Sequence, residues 1–167
     1  MAEARDFDVG ALHRALDDER QAQAMTWAGV SRAISTRPTG RVSASTITGI
    51  RGKRSVEADG VLQMLRWLDR TPESFCGARD EALSAHLGAI PSGMTLRFDA
   101  KAIHAAVDAK RTPAGATWEN VAREIGGCSA SSLTKMAKGG RVAFPQVMRV
   151  IRWTGEHSTG FMRITDW

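Results

Sequence analysis

Two short runs of hydroxyl side chains, Ser43-Ala44-Ser45-Thr46 and Ser129-Ala130-Ser131-Ser132, each precede a basic run, Arg51-Gly52-Lys53-Arg54 and Lys138-Gly139-Gly140-Arg141. Serine and threonine favour the first positions of a helix, where their oxygens accept from free backbone amides. That end of a helix also carries partial positive charge and attracts anions. Short side chains there let a ligand approach the backbone, and the cations behind them supply charge. The chemistry on offer is hydrogen bonding and charge neutralisation. No nucleophile-base constellation, carboxylate pair or glycine-rich phosphate loop accompanies these runs, so catalysis is not expected.

The distribution of charge says more than the net value of +5. From Arg20 to Val56 there is no acid, while Arg20, Arg32, Arg37, Arg41, Arg51, Lys53 and Arg54 are all positive. From Ile125 to Gly155 there is again no acid, with Lys135, Lys138, Arg141, Arg149 and Arg152. Acids collect elsewhere, as in Asp17-Asp18-Glu19, which is expected to form a solvated face. An ordinary surface would not segregate its charge the same way twice, so one polyanion-binding face per segment is expected. The four histidines show no metal-ligand spacing, and Cys76 and Cys128 are too few for a disulfide framework or a zinc site. No metal or cofactor is expected, and a reducing cytoplasm is the default location. No apolar run reaches the ~18 residues that span a bilayer. The acidic start, MAEARDFD, lacks the layout of a signal peptide.

The elements that must position these runs occur twice. Residues 7–34 lie over 98–125 at a constant offset of 91, with 12 of 28 positions identical. The offset then becomes 86, placing Ser43 over Ser129, Arg66-Trp67 over Arg152-Trp153 and Phe75 over Phe161. A unit of ~70 residues is long enough to be a small domain. The expected organisation is a first domain over 1–78, a linker over 79–95 and a second domain over 96–167.

Apolar periodicity predicts four helices and a short fifth in each repeat. In the first, they run from about Val9 to Ala24, from Thr26 as N-cap through Ile34, from Ser43 to Gly52, and from about Asp59 to Leu68. Thr71-Pro72 then opens a one- or two-turn helix ending near Phe75. Nothing alternates with period two long enough to demand a strand, so the expected class is all-α. In the linker, Arg79–Leu87 suggests a short helix, and Gly88–Thr95 should be extended and mobile. Fully stretched, the connection over residues 76–95 reaches roughly 65 Å, or about 45 Å with nine residues coiled. Both exceed the ~34 Å between successive major grooves on one face of a duplex.

The segments TWAGVSRAI…VSASTITGIRGKR and TWENVAREIGGCSASSLTKMAKGGR resemble the helix-turn-helix of the lambda-repressor-like, Xre-type DNA-binding family. The marks are a Thr opening the first helix and a small residue after the buried Val (Ser31, Ala122). A buried aliphatic at Ile34 and Ile125 and a Ser-x-Ser-Thr/Ser-Ile/Leu start to the second helix complete them. The resemblance covers most of both repeats and implies two tandem four-to-five-helix bundles. It implies that Ala44, Ser45 and Gly49, and Ala130, Ser131 and Lys135, face base edges. Thr46, Thr48, Ser132 and Thr134 share those reading helices. The methyl groups of Ala44, Ala130 and Thr48 suit thymine, and Lys135 suits guanine. Arg51, Lys53, Arg54, Lys138 and Arg141 would contact phosphates.

Two departures stand out. The family's tight turn is one residue longer in the second repeat, through Gly126-Gly127, and a further five longer in the first, where Arg37 and Arg41 could add backbone contacts. Trp27 and Trp118 stand where the family often has a phosphate-touching Gln. Trp27 shares a face with Val30 and Ile34, which favours core packing. His13 and His104 belong to the duplicated scaffold. Arg20 and Arg111 pair with a carboxylate or touch phosphate, and sequence does not choose between them. Cys128 is expected to be a small buried residue. The implied function is a sequence-specific double-stranded DNA-binding regulator, acting as a repressor by occlusion. Its two unlike heads would read adjacent major grooves of an asymmetric site. The alternative is a protein-protein interaction module, antitoxin-like or polymerase-binding, with at most one DNA-binding head. Monomer and homodimer both remain open.

Overall fold

Acceptor side chains placed just ahead of apolar-periodic segments set the helix starts in both repeats. The computed structural model describes residues 5–35, 42–52, 56–140 and 142–166. In the first repeat, helices α1 (Val9–Ala22), α2 (Trp27–Ile34) and α3 (Ala44–Gly49) begin after Asp8, Thr26 and Ser43. The side chains of these three accept from Ala11 N (2.8 Å), Gly29 N (3.1 Å) and Thr46 N (3.1 Å). A 3-10 turn, Ile50–Gly52, continues α3, and α4 spans Ala58–Leu68. A second 3-10 turn, Pro72–Phe75, is followed by the short α5 (Leu83–Leu87). Strand β1 (Thr95–Phe98) leads into the second repeat. There α6 (Ala100–Arg111), α7 (Trp118–Ile125) and α8 (Ala130–Met136) are capped in the same way by Asp99, Thr117 and Ser129. Helix α9 (Phe144–Thr154), a 3-10 turn (Ser158–Phe161) and strand β2 (Met162–Thr165) complete the chain.

The elements duplicate with the sequence. Helices α2 and α7 have equal lengths at offset 91, and α4 and α9 match at offset 86. Buried side chains follow: Leu12 with Ile103, Leu16 with Val107, Val30 with Val121, Ile47 with Leu133, Leu65 with Ile151, Phe75 with Phe161. Each such burial is worth about 1.5–3 kcal/mol in removed apolar surface. The fold is mostly helical, as expected. None of the helices among the described residues is long and apolar enough to cross a membrane.

The halves do not hang from a free tether. Their buried residues form one continuous core. Glu57 and Ala143, equivalent at offset 86, form an isolated antiparallel bridge, and Phe144 N donates to Val56 O at 3.0 Å. Antiparallel pairing of a residue with its own counterpart implies a local two-fold relation between the repeats. Beside that bridge, the fully buried ring of Phe144 meets Phe7 at 4.6 Å and Phe98 at 5.8 Å. Phe7 and Phe98 are themselves equivalent, so one ring bridges the two copies. The counterpart of Phe144 is Ala58, and this small residue leaves the middle to a single ring.

The departure from a purely helical expectation is the antiparallel pair β1·β2, with Thr95 opposite Thr165 and Phe98 opposite Met162. Four residues per strand are too few for a period-two pattern to stand out. The strand also starts inside the segment expected to be extended and mobile: Thr95 and Leu96 are buried. Gln63 Nε2 on α4 donates to Thr95 Oγ1 (3.0 Å) and Leu96 O (3.1 Å), and Arg66 Nη1 donates to Met94 O (2.8 Å). At the equivalent positions on α9, Arg149 and Arg152 bind Asp6 at 2.6 and 3.1 Å. The fourth helix of each repeat thus grips the strand-like entry segment of the other.

Candidate nucleic-acid interface

Helices α3 and α8 start where the hydroxyl runs led us to expect. Ser43 Oγ accepts from Thr46 N and lies 2.9 Å from Ser45 Oγ and 2.8 Å from Thr46 Oγ1. Ser129 Oγ accepts from Ser132 N at 3.1 Å and lies 3.0 Å from Ser132 Oγ. Ile47, Ile50, Leu133 and Met136 anchor the inner faces. The outer faces carry exposed Ser45, Thr48 and Arg51, and exposed Ser131, Thr134, Lys135 and Lys138. Ala44, Thr46, Gly49, Ala130 and Ser132 are half-buried at the edges of these faces. Thr48 Oγ1 donates to Ala44 O (3.0 Å) and Thr134 Oγ1 to Ser131 O (3.1 Å), so the outward group of each is its methyl. Arg41, Lys53, Arg54 and Arg141 lie outside the described residues.

The loops ahead of these helices differ, as the register change implies. Between α7 and α8, Gly126 and Gly127 both have positive φ, +72° and +68°. L side chains rarely adopt that region, and a Cβ on Gly127 would meet Arg149 Nη1 at 1.8 Å. In the first repeat the buried hydroxyl of Ser31 donates to Val42 O at 2.6 Å. This bond ties the end of the longer loop back to α2.

Several charges expected on the binding faces are engaged within the fold. Arg20 donates from Nε to Asp17 Oδ1 (2.8 Å) and from Nη1 to Met25 O (3.0 Å), and its guanidinium lies 4.9 Å from the Trp27 ring centre. Arg111 repeats the arrangement on Asp108 (3.0 Å), Ala116 O (3.0 Å) and Trp118 (4.6 Å). His13 and His104 face the same indoles at 5.5 and 4.7 Å. This latch fastens α1 to α2 and α6 to α7. It answers the open question about both arginines in favour of the carboxylate. Within the Asp17-Asp18-Glu19 run, bonding to Arg20 holds the Asp17 carboxyl below the usual range, while Asp18 is exposed. Arg149 and Arg152, counted with the second basic segment, bind Asp6, whose pKa the Arg149 hydrogen bond lowers. Sequence could not see these pairings, because a cation's partner 143 residues away leaves no local mark. Burial lowers the pKa of His13, and the positive charge of Arg51 adds to the effect. Cys76 and Cys128 are half-buried, and burial raises both thiols, Cys76 to about 12. Neither is poised as a nucleophile.

The fold gathers a second group of polar residues that sequence spacing did not reveal. His86 on α5 and His157 before the last 3-10 turn stack at 4.6 Å. Their Nε2 atoms lie 3.1 and 3.5 Å from Glu81 Oε2, and Glu73 Oε2 lies 3.4 Å from His157 Nε2. The histidines are 71 residues apart, so no spacing rule would have paired them.

Set against protein-family models, curated proteins and solved structures, the chain matches none.

Proposed function

We propose that the chain is a sequence-specific double-stranded DNA-binding regulator in which two helix-turn-helix units of the lambda-repressor-like type read one duplex, with repression by occlusion as the output. The observation that carries this reading is the duplicated exposed helix start. Ser45 and Ser131, with the methyl groups of Thr48 and Thr134, are presented on short helices packed against α2 and α7, with exposed Arg51, Lys135 and Lys138 beside them. A major groove admits one such helix, and side chains near its N-terminus reach base edges. The Glu57–Ala143 bridge relates the copies as a two-fold dimer relates its subunits. This polypeptide therefore provides in one chain what a repressor dimer builds from two. The heads are unlike, because Lys135 and Lys138 stand where the first repeat has Gly49 and Gly52. The site they read is asymmetric, with Lys135 adding a contact to guanine under the second head.

Equilibrium binding to a duplex over a range of salt concentrations tests this. Replacing Lys138 by Ala flattens the slope of log K against log salt by about one unit, and Arg51→Ala does the same. A slope unchanged by either substitution, or no binding at low salt, counts against DNA and in favour of a protein partner.

A further inference from the structure

We propose that Glu81, His86 and His157, with Glu73 as a fourth donor, form a binding site for a divalent transition-metal ion of the Zn2+ type. One ligand atom from each of Glu81, His86 and His157 lies within 4.8 Å of the others. Zinc sits about 2.0–2.2 Å from imidazole nitrogen and carboxylate oxygen, so neighbouring ligands of a tetrahedral ion are about 3.3–3.5 Å apart. His86 Nε2 and His157 Nε2 lie 3.1 and 3.5 Å from Glu81 Oε2, and Glu73 Oε2 lies 3.4 Å from His157 Nε2, close to three of the six edges of such a tetrahedron. Two imidazoles and two carboxylates form the mixed nitrogen-oxygen set that borderline ions take, whereas Ca2+ and Mg2+ select oxygen alone.

The surroundings fit the same reading. His157 Nδ1 lies 2.8 Å from Thr159 Oγ1 and 3.4 Å from Thr159 N, so the tautomer that frees the Nε2 lone pair keeps the shorter bond, with Nδ1–H donating to Oγ1, and gives up the longer one, in which Nδ1 accepts. Both Glu73 oxygens accept from Ser158, Oε1 from its backbone N at 2.7 Å and Oε2 from its hydroxyl at 2.8 Å. That pins the carboxylate at the edge of the site. The imidazole planes are 11° apart, so one ring must turn to bring both lone pairs onto one ion. His86 is the ring that turns, because it is exposed and is held besides by the stacking and a long 3.5 Å approach to Thr159. The ligands come from the first repeat (Glu73), the connecting segment (Glu81 and His86) and the second repeat (His157). A bound ion ties these three segments together, so metal occupancy stabilises the joined arrangement of the two halves.

The test uses the full chain freed of metal with a chelator. Zn2+ is titrated in competition with a chromophoric chelator, and thermal unfolding is followed at each metal concentration. One equivalent binds, and at a hundredfold excess over Kd the Tm rises by about 5 °C or more. His86→Ala at the surface, and His157→Asn, a residue favoured at N-caps, each weaken binding by at least about 100-fold with helical content unchanged. Lys135→Ala leaves metal affinity as it was, which separates this site from the DNA-binding reading. The Co2+ form lacks a thiolate charge-transfer band. Absence of binding at micromolar Zn2+, or binding that survives both histidine substitutions, overturns the proposal.

Discussion

Replacing Phe144 by Ala should destabilise both repeats together. The ring is fully buried and packs edge-on against Phe7 at 4.6 Å and near Phe98 at 5.8 Å, one from each copy. Truncating a buried phenylalanine costs about 3–5 kcal/mol, and the bridging position puts this one near about 4 kcal/mol. Total stability of a domain is typically about 5–15 kcal/mol, so a large share is removed. Four kcal/mol corresponds to roughly a thousandfold rise in the open population that governs the slowest amide exchange. Hydrogen exchange read by mass spectrometry resolves the two halves, with α1 and α4 reporting on one and α6 and α9 on the other. If the halves share one core, the slowest amides in all four helices accelerate by the same factor. Acceleration confined to α6 and α9, with α1 and α4 unchanged, would refute the shared core and restore two independent domains on a tether.

Removing the caps of α3 and α8 should act locally: Ser43→Ala and Ser129→Ala each cost about 1 kcal/mol of stability in urea unfolding and, on the proposed function, weaken DNA binding as well. Asp6→Asn breaks a half-exposed pair with Arg149 and Arg152, so its cost stays under about 1 kcal/mol, and a larger loss would mean the pair is more deeply desolvated than its exposure indicates. Stability also carries a histidine signature. The folded pKa of His13 is lowered, so the unfolded chain takes up its proton first, and stability present above the unfolded value of 6.5 falls as pH drops below it. His13→Gln should remove that part of the slope in denaturation midpoints measured from pH 7.5 to 5.

Much of the helical frame was legible in the sequence, because caps and apolar spacing are local. Thr26, Ser43, Thr117 and Ser129 stand where the N-caps lie, and Val30, Ile34 and Leu65 are buried as their periodicity indicated. The duplication was equally plain. What stayed hidden depends on contacts far along the chain. The β1·β2 pair joins residues near 95 and 165 through strands too short to alternate visibly. Shared identity marks structure as well as site: His13, Asp17, Arg20 and Trp27 recur because they build a latch between α1 and α2. A basic run likewise tells nothing of where its acids are. Arg149 and Arg152 look available until Asp6 folds against them. Of the candidate contacts, Ser43, Ser45, Thr48, Ser129, Ser131, Thr134 and Lys135 are exposed and Ala44, Thr46, Gly49, Ala130 and Ser132 are half-buried, while Arg41, Lys53, Arg54 and Arg141 lie outside the described residues.

Selection from a random-sequence duplex library at two salt concentrations tests the central claim most directly. Two unlike reading helices joined through one core should enrich a single bipartite motif, its half-sites different and held at one spacing of about a helical turn. A free tether between heads would enrich the same half-sites at many spacings, and one working head would enrich a single short motif. Retention that depends on salt alone, with no motif enriched, would contradict sequence-specific reading by either repeat.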